Sequence, residues 1–194
     1  MLGVVLLYVG AVLAINGIWL IGQARVAAAG EAGATAAESH PFFIQGGEVT
    51  VINVFTGFVG VVAAVTFMVQ GNHDGDLASI RGGGLILLFA FTYLWVAANG
   101  FLNAGGRAFG WYCLFVAITA IPAGIYTLQT AGGNPAAIWL GLNWFAWAIL
   151  WALFFVLLAL ERPIGLITGW VTLIEGIVTA WALGFAVLIG ALSF

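Results

Sequence analysis

No lysine occurs anywhere in the chain, and its four arginines, Arg25, Arg81, Arg107 and Arg162, are scattered. A surface that binds nucleic acid or anionic headgroups needs clustered cations, so neither is an expected partner. Charged residues make up only 6% of the sequence against 64% hydrophobic ones, too little polar surface to clothe a soluble domain. The chain therefore reads as an integral membrane protein whose surroundings are lipid. A single cysteine, Cys113, can form no internal disulfide, and inside an apolar run it reads as a small buried hydrophobe. Ahead of the first apolar run there is no basic segment and no persuasive cleavage site, so that run reads as a retained span rather than a signal peptide. The two histidines fall in different loops, and no nucleophile has a base at a useful spacing. Enzymic chemistry and a cofactor are not expected. His73, Asp74 and Asp76 crowd one glycine-rich loop, GNHDGDLASIRGGG, which reads as a polar turn and not as a metal site.

What remains is a series of six apolar runs. The first extends from Leu2 to Ile21. From Gln23 to Pro41 the low-complexity stretch AAAGEAGATAAESHP reads as a spacer loop containing His40. A second span covers Glu48 to Gln70, where Gly57 and Gly60 permit close helix approach. The third covers Leu85 to Gly100, and after the loop NAGGRA a fourth covers Phe109 to Leu128, with Pro122 expected to kink it unless neighbours satisfy the freed carbonyl. The fifth opens at Asn134–Pro135 and closes at Glu161–Arg162–Pro163. The sixth, Ile164 to Ile189, carries a small-xxx-small pair, Gly165 and Gly169, and then Glu175. The expected fold is an all-α integral membrane bundle of six transmembrane helices, forming a single domain across residues 1–194. Arg25, Arg107 and Arg162 follow odd-numbered spans and only Arg81 follows an even one, so the positive-inside rule places both termini on the outer side.

Leu140, Trp144, Trp147 and Trp151 recur at helical spacing and share one face of the fifth span. Their stripe covers about 16 Å, around half the hydrocarbon thickness. Anchoring tryptophans belong at the membrane interfaces, so a stripe at mid-depth lies on an inward face, where it either lines a passage or fills the bundle by packing. Phe89 and Tyr93 share a face of the third span, with Trp95 pointing elsewhere. Glu175 is the one carboxylate deep within a span. Burying it ionised costs several kcal/mol, and no intramembrane cation is present to pair with it. It is either neutral or open to a wet path; alternatively it orients the bundle through a helix break or a threonine. Asn16, Asn53, Asn99 and Asn143 read as polar staples between helices. An aromatic, nearly uncharged passage strips an ion of its hydration without replacement, yet lets a small neutral planar solute slide between ring faces. Urea and short amides fit that description, though composition alone does not select them over water or glycerol.

Five motifs in order, MLGVVLLYVGAVLAINGIWL, FAFTYLWVAAN, WYCLFVAITAIPAG, NWFAWAILW and IEGIVTAW, resemble the AmiS/UreI family of bacterial urea and amide channels. The resemblance runs through all six spans and lapses in the loops after the first and second. It implies a hexamer in which each protomer encloses its own channel, built from a two-helix hairpin repeated three times. It also implies passive conduction of urea or short aliphatic amides across the cytoplasmic membrane to a urease or amidase. Carried over residue by residue, it makes Phe89, Tyr93, Trp144, Trp147 and Trp151 aromatic constrictions, Leu6, Val9 and Leu13 an aliphatic lining, and Glu175 the buried acid. Leu140 stands where an acid-gated member has tryptophan, which widens the mouth. That member gates through several loop histidines, whereas this chain has His73 alone on the expected outer side. The competing readings are a proton-coupled carrier using Glu175 and a scaffold or sensor that transports nothing.

Overall fold

Long apolar runs with few breakers fold as six long helices, and no strand occurs among the described residues. The computed structural model describes every residue except Asn103; the side chains at positions 31, 32, 34, 36 and 37 are also outside the description. The helices are α1 (Leu2–Glu38), α2 (Gly46–Asp74), α3 (Leu77–Leu102), α4 (Arg107–Thr130), α5 (Pro135–Leu158) and α6 (Gly165–Leu188). Each is long and apolar enough to cross a membrane.

Two boundaries differ from the sequence reading, both for local reasons. The alanine-rich stretch expected as a spacer loop is helical to Glu38, interrupted at Gly30, whose φ of 63° breaks the regular winding. Alanine is the strongest helix former, and low complexity does not reduce that propensity. The third helix begins at Leu77 rather than near Leu85, because the loop before it contracts to a tight turn. Gly75 ends α2 in the left-handed conformation (φ 70°), and the Asp76 carboxylate accepts from Ala78 N–H at 2.9 Å and Ser79 O–H at 2.6 Å. Those bonds, the Ser79 hydroxyl foremost, hold the Asp76 carboxyl below the usual carboxylate range. Pro122 sits within α4, which continues through it to Thr130. Asn134 caps α5 by accepting from Ala137 N–H at 3.0 Å, with Pro135 in the first turn.

The helices pair as α2 with α3 and α4 with α5, both hairpins, while α6 returns along α1 to close the ring. The third pair thus joins the two ends of the chain. Glycines make that contact close. On α1, Gly3, Gly10 and Gly17 are seven apart; on α6, Gly169, Gly176 and Gly184 are spaced by seven and then eight. Gly184 meets the Gly3 carbonyl, Gly176 that of Gly10, and Gly169 that of Gly17. The unequal spacing is reconciled by a π-helical turn, Gly176–Trp181, which takes up one extra residue and keeps the two ladders in register.

Polar staples hold the remaining helices. Asn16 and Asn53 exchange amide hydrogen bonds of 3.1 and 2.8 Å between α1 and α2, and Thr56 O–H reaches the Tyr8 carbonyl. Asn143 of α5 donates to the Thr179 carbonyl at 2.7 Å, inside the π turn. Asn99 makes no side-chain hydrogen bond among the described residues and borders a cavity instead.

Candidate functional site

Three cavities lie in series between the helices. The upper one, at the end of the bundle with the α2–α3 turn, has a volume of ≈ 320 Å³, and Leu6, Val9, Phe89, Leu140, Trp144 and Trp147 are among the residues around it. A middle cavity of ≈ 50 Å³ is bordered by Leu13, Phe89, Tyr93, Trp147 and Trp151, together with Asn16, Thr92 and Thr172. A lower cavity of ≈ 450 Å³ opens between the start of α2 and the end of α3. Phe89 and Trp147 are common to the upper and middle spaces; Trp19, Leu20, Val96, Phe109 and Phe154 are common to the middle and lower ones.

The narrow point is built around one phenyl ring. Phe89 stands with its centroid 5.3 Å from Trp144, 4.8 Å from Trp147 and 4.6 Å from Trp151. The edge-on and tilted geometries satisfy the quadrupoles of the rings, so the cluster holds its shape. All four residues are buried, and the tryptophan stripe therefore both packs and borders open space. A hydrogen-bond relay fixes Trp147 further: its indole N–H donates to Thr179 Oγ1 at 2.8 Å, and Thr179 O–H donates to the Glu175 carbonyl. The π turn thus does two things, keeping α6 in register with α1 and presenting Thr179 to the ring at the constriction. Trp95 lies apart from this cluster, packed on Phe109 and Tyr112.

Few polar groups face the narrow segment. The Thr92 hydroxyl is spent on the Phe89 carbonyl and that of Thr172 on Thr168. Asn16 is paired with Asn53. The buried Tyr93 hydroxyl has no partner among the described residues and is available to a solute. Among the described residues, no charged one borders the middle or lower cavity.

Nine of the ten residues singled out by sequence come together around the upper and middle cavities; Glu175 borders neither. It sits at the start of the π turn, half-buried, with one carboxylate oxygen enclosed and without a hydrogen-bond partner. Sequence spacing alone does not single out Trp19, Phe109 or Phe154. One signal was present: the stripe Leu6, Val9, Leu13 continues at helical steps through Asn16 and Leu20, both of which border the middle cavity. The pair His73–Asp74, 2.7 Å apart, lies exposed at the α2–α3 turn.

A family model described as an AmiS/UreI family transporter matches residues 43–191. The chain belongs to the AmiS/UreI family. Its members are transporters and not enzymes, and six apolar helices make this one a multi-pass membrane protein. A relative from Mycolicibacterium smegmatis described as a putative amidate substrates transporter protein is 36% identical, over 97% of this chain and 76% of the relative. The acid-activated urea channel of Helicobacter pylori is also 36% identical, over 93% of this chain and 94% of its own. The crystal structure of the urea channel from that organism matches along the whole of both chains, with a TM-score of 0.79 at 32% identity.

Proposed function

We propose that this AmiS/UreI member is a passive channel for urea and short-chain aliphatic amides, with the permeation path inside each protomer. The observation that carries this reading is the series of three cavities, narrowest below Phe89 and Trp147, with no charged group at the middle or lower level among the described residues. An ion there loses hydration worth many kcal/mol and meets no compensating group. A planar neutral amide loses little, since its faces lie against indole and phenyl rings. Leu6, Val9, Leu13, Phe89, Tyr93, Leu140, Trp144, Trp147 and Trp151 line the path, and the Tyr93 hydroxyl meets the solute's polar edge. We place the chain in the cytoplasmic membrane, a reading supported by its six apolar helices and its membership of a transporter family. The chain acts as one domain, assembles as a hexamer, has both termini outside and delivers solute to a cytoplasmic urease or amidase. Uptake of urea and acetamide into vesicles carrying the purified protein tests the reading. Rates well above those of empty vesicles are expected, whereas rates equal to them fit a scaffold or sensor.

Glu175 is read as a neutral acid beside the π turn, because no cation pairs with it in any salt bridge among the described residues and one of its oxygens is enclosed. Glu175→Gln, nearly isosteric and keeping both a donor and an acceptor, therefore retains most of the urea flux, while Glu175→Leu, which removes both, loses it. A Glu175→Gln variant as inactive as Glu175→Leu, at equal membrane abundance, would show that the ionised acid is required.

A further inference from the structure

Arg81, in the second turn of α3, lies with its guanidinium carbon 4.0 Å above the centroid of the Tyr126 ring on α4. Both residues border the upper cavity, and Arg81 forms no ion pair among the described residues. Of the other polar groups at this level, Ser79 O–H is committed to Asp76, Thr127 O–H to the Ala123 carbonyl and Trp147 N–H to Thr179, while the Trp144 N–H and the Tyr126 O–H form no hydrogen bond among the described residues. No carboxylate among the described residues borders the cavity. Asp76, in the turn that opens α3, is occupied in capping that helix. Stacking on an aromatic face uses the flat side of a guanidinium and leaves its edge, a planar fork of N–H donors, free for an oxygen acceptor.

We propose that Arg81, held by Tyr126, is the entry docking site for the carbonyl oxygen of the permeant, and that small planar carboxylates occupy the same site and block it. This rests on the channel reading above. A neutral amide offers one carbonyl oxygen, bound weakly enough to leave for the narrowing beyond. A carboxylate of the same size and planarity offers two oxygens to the fork and is held more firmly. Its charge then bars it from the apolar segment, where no group replaces its hydration. The residue thus sorts solutes by charge at the mouth: cations are repelled, amides pass, and carboxylates remain and compete.

The test measures urea uptake into vesicles containing the protein, with sodium acetate or sodium chloride added at equal ionic strength and at a pH where acetate is ionised. Acetate raises the urea concentration for half-maximal flux of the parent protein by about threefold or more, leaving the maximal rate unchanged. Arg81→Gln abolishes that sensitivity. Arg81→Lys, which keeps the charge but loses the planar fork, retains only part of it, and Tyr126→Leu weakens it by freeing the guanidinium. Robust urea flux that acetate leaves unaltered, or that it depresses equally in Arg81→Gln, would overturn the docking site and leave the channel reading intact. Acetate-dependent tryptophan fluorescence of the detergent-solubilised protein, to which Trp144 and Trp147 beside the same cavity contribute, compared between the parent and Arg81→Gln, supplies the second readout. An Arg81-dependent change without any urea flux would contradict the channel reading and sustain the site; no Arg81-dependent change would contradict the site.

Discussion

Replacing Phe89 with alanine turns a selective passage into a permissive one. The ring lies between Trp144, Trp147 and Trp151 and borders both the ≈ 320 Å³ upper space and the ≈ 50 Å³ middle one, so its removal merges the two. A phenylalanine packed on all sides costs about 3–5 kcal/mol when truncated to alanine. Phe89 should cost less, because two of its neighbours are open spaces and its loss breaks no hydrogen bond of its side chain. Vesicles with Phe89→Ala should swell in solutes that the parent protein excludes, such as glycerol and butyramide, at rates raised about tenfold. Urea flux itself should hold or rise. A variant that fails to assemble would instead assign the aromatic cluster to packing alone.

Gly10→Leu should abolish assembly, since a Cβ at Gly10 would lie 2.6 Å from both the backbone nitrogen and the Cβ of Trp181. No rotamer of a flexible side chain can relieve that overlap; α1 and α6 must separate, and with them the π turn that holds Trp147. Even Gly10→Ala should lose about 1–3 kcal/mol by overpacking. Gly84→Ala on α3 is the matched control, because nothing lies within 4 Å of a Cβ placed there. That change should be neutral or slightly stabilising through helix propensity. Thermal unfolding of the purified proteins in detergent measures the contrast, and equal midpoints for Gly10→Ala and Gly84→Ala would contradict the close α1–α6 contact.

These two sites differ in how openly the sequence displays them. The aromatic cluster was readable, since Phe89 and Tyr93 on one helix and Trp144, Trp147 and Trp151 on another each follow helical spacing, and burial at mid-depth leaves such a stripe only the interior. The pairing of α1 with α6 was not inferred, although the glycine ladders encode it, because a spacing of eight has no meaning in an α-helix until a π turn is allowed. An isolated acid in an apolar run looks like a permeation site from sequence, whereas Glu175 borders neither the upper nor the middle cavity; it precedes the π segment, and its backbone carbonyl, not its carboxylate, accepts from the Thr179 hydroxyl that holds Trp147. Arg81 gave a signal read only as topology: one arginine after an even span weighs on orientation, and nothing in the spacing pairs it with Tyr126 some forty-five residues later. The alanine-rich stretch to Glu38 shows the opposite error, in which low complexity was weighed above helix propensity.

The central claim is passive conduction of neutral solutes, and it separates most cleanly from coupled carriage when the proton gradient is manipulated. Lowering the pH on both sides from about 7 to about 5 should change urea flux little, because His73 alone is a poor basis for a cooperative switch. Asp76, with its carboxyl held low by Ser79 and Ala78, keeps its cap on α3 ionised throughout that interval. The decisive measurement is urea permeability of vesicles containing the protein, recorded with an imposed pH gradient and again after an ionophore collapses it, with membrane current monitored alongside. The channel account predicts identical permeabilities in the two conditions, well above empty vesicles and without current. Uptake that drives urea above its external concentration under the gradient and stops when the gradient is collapsed would contradict it.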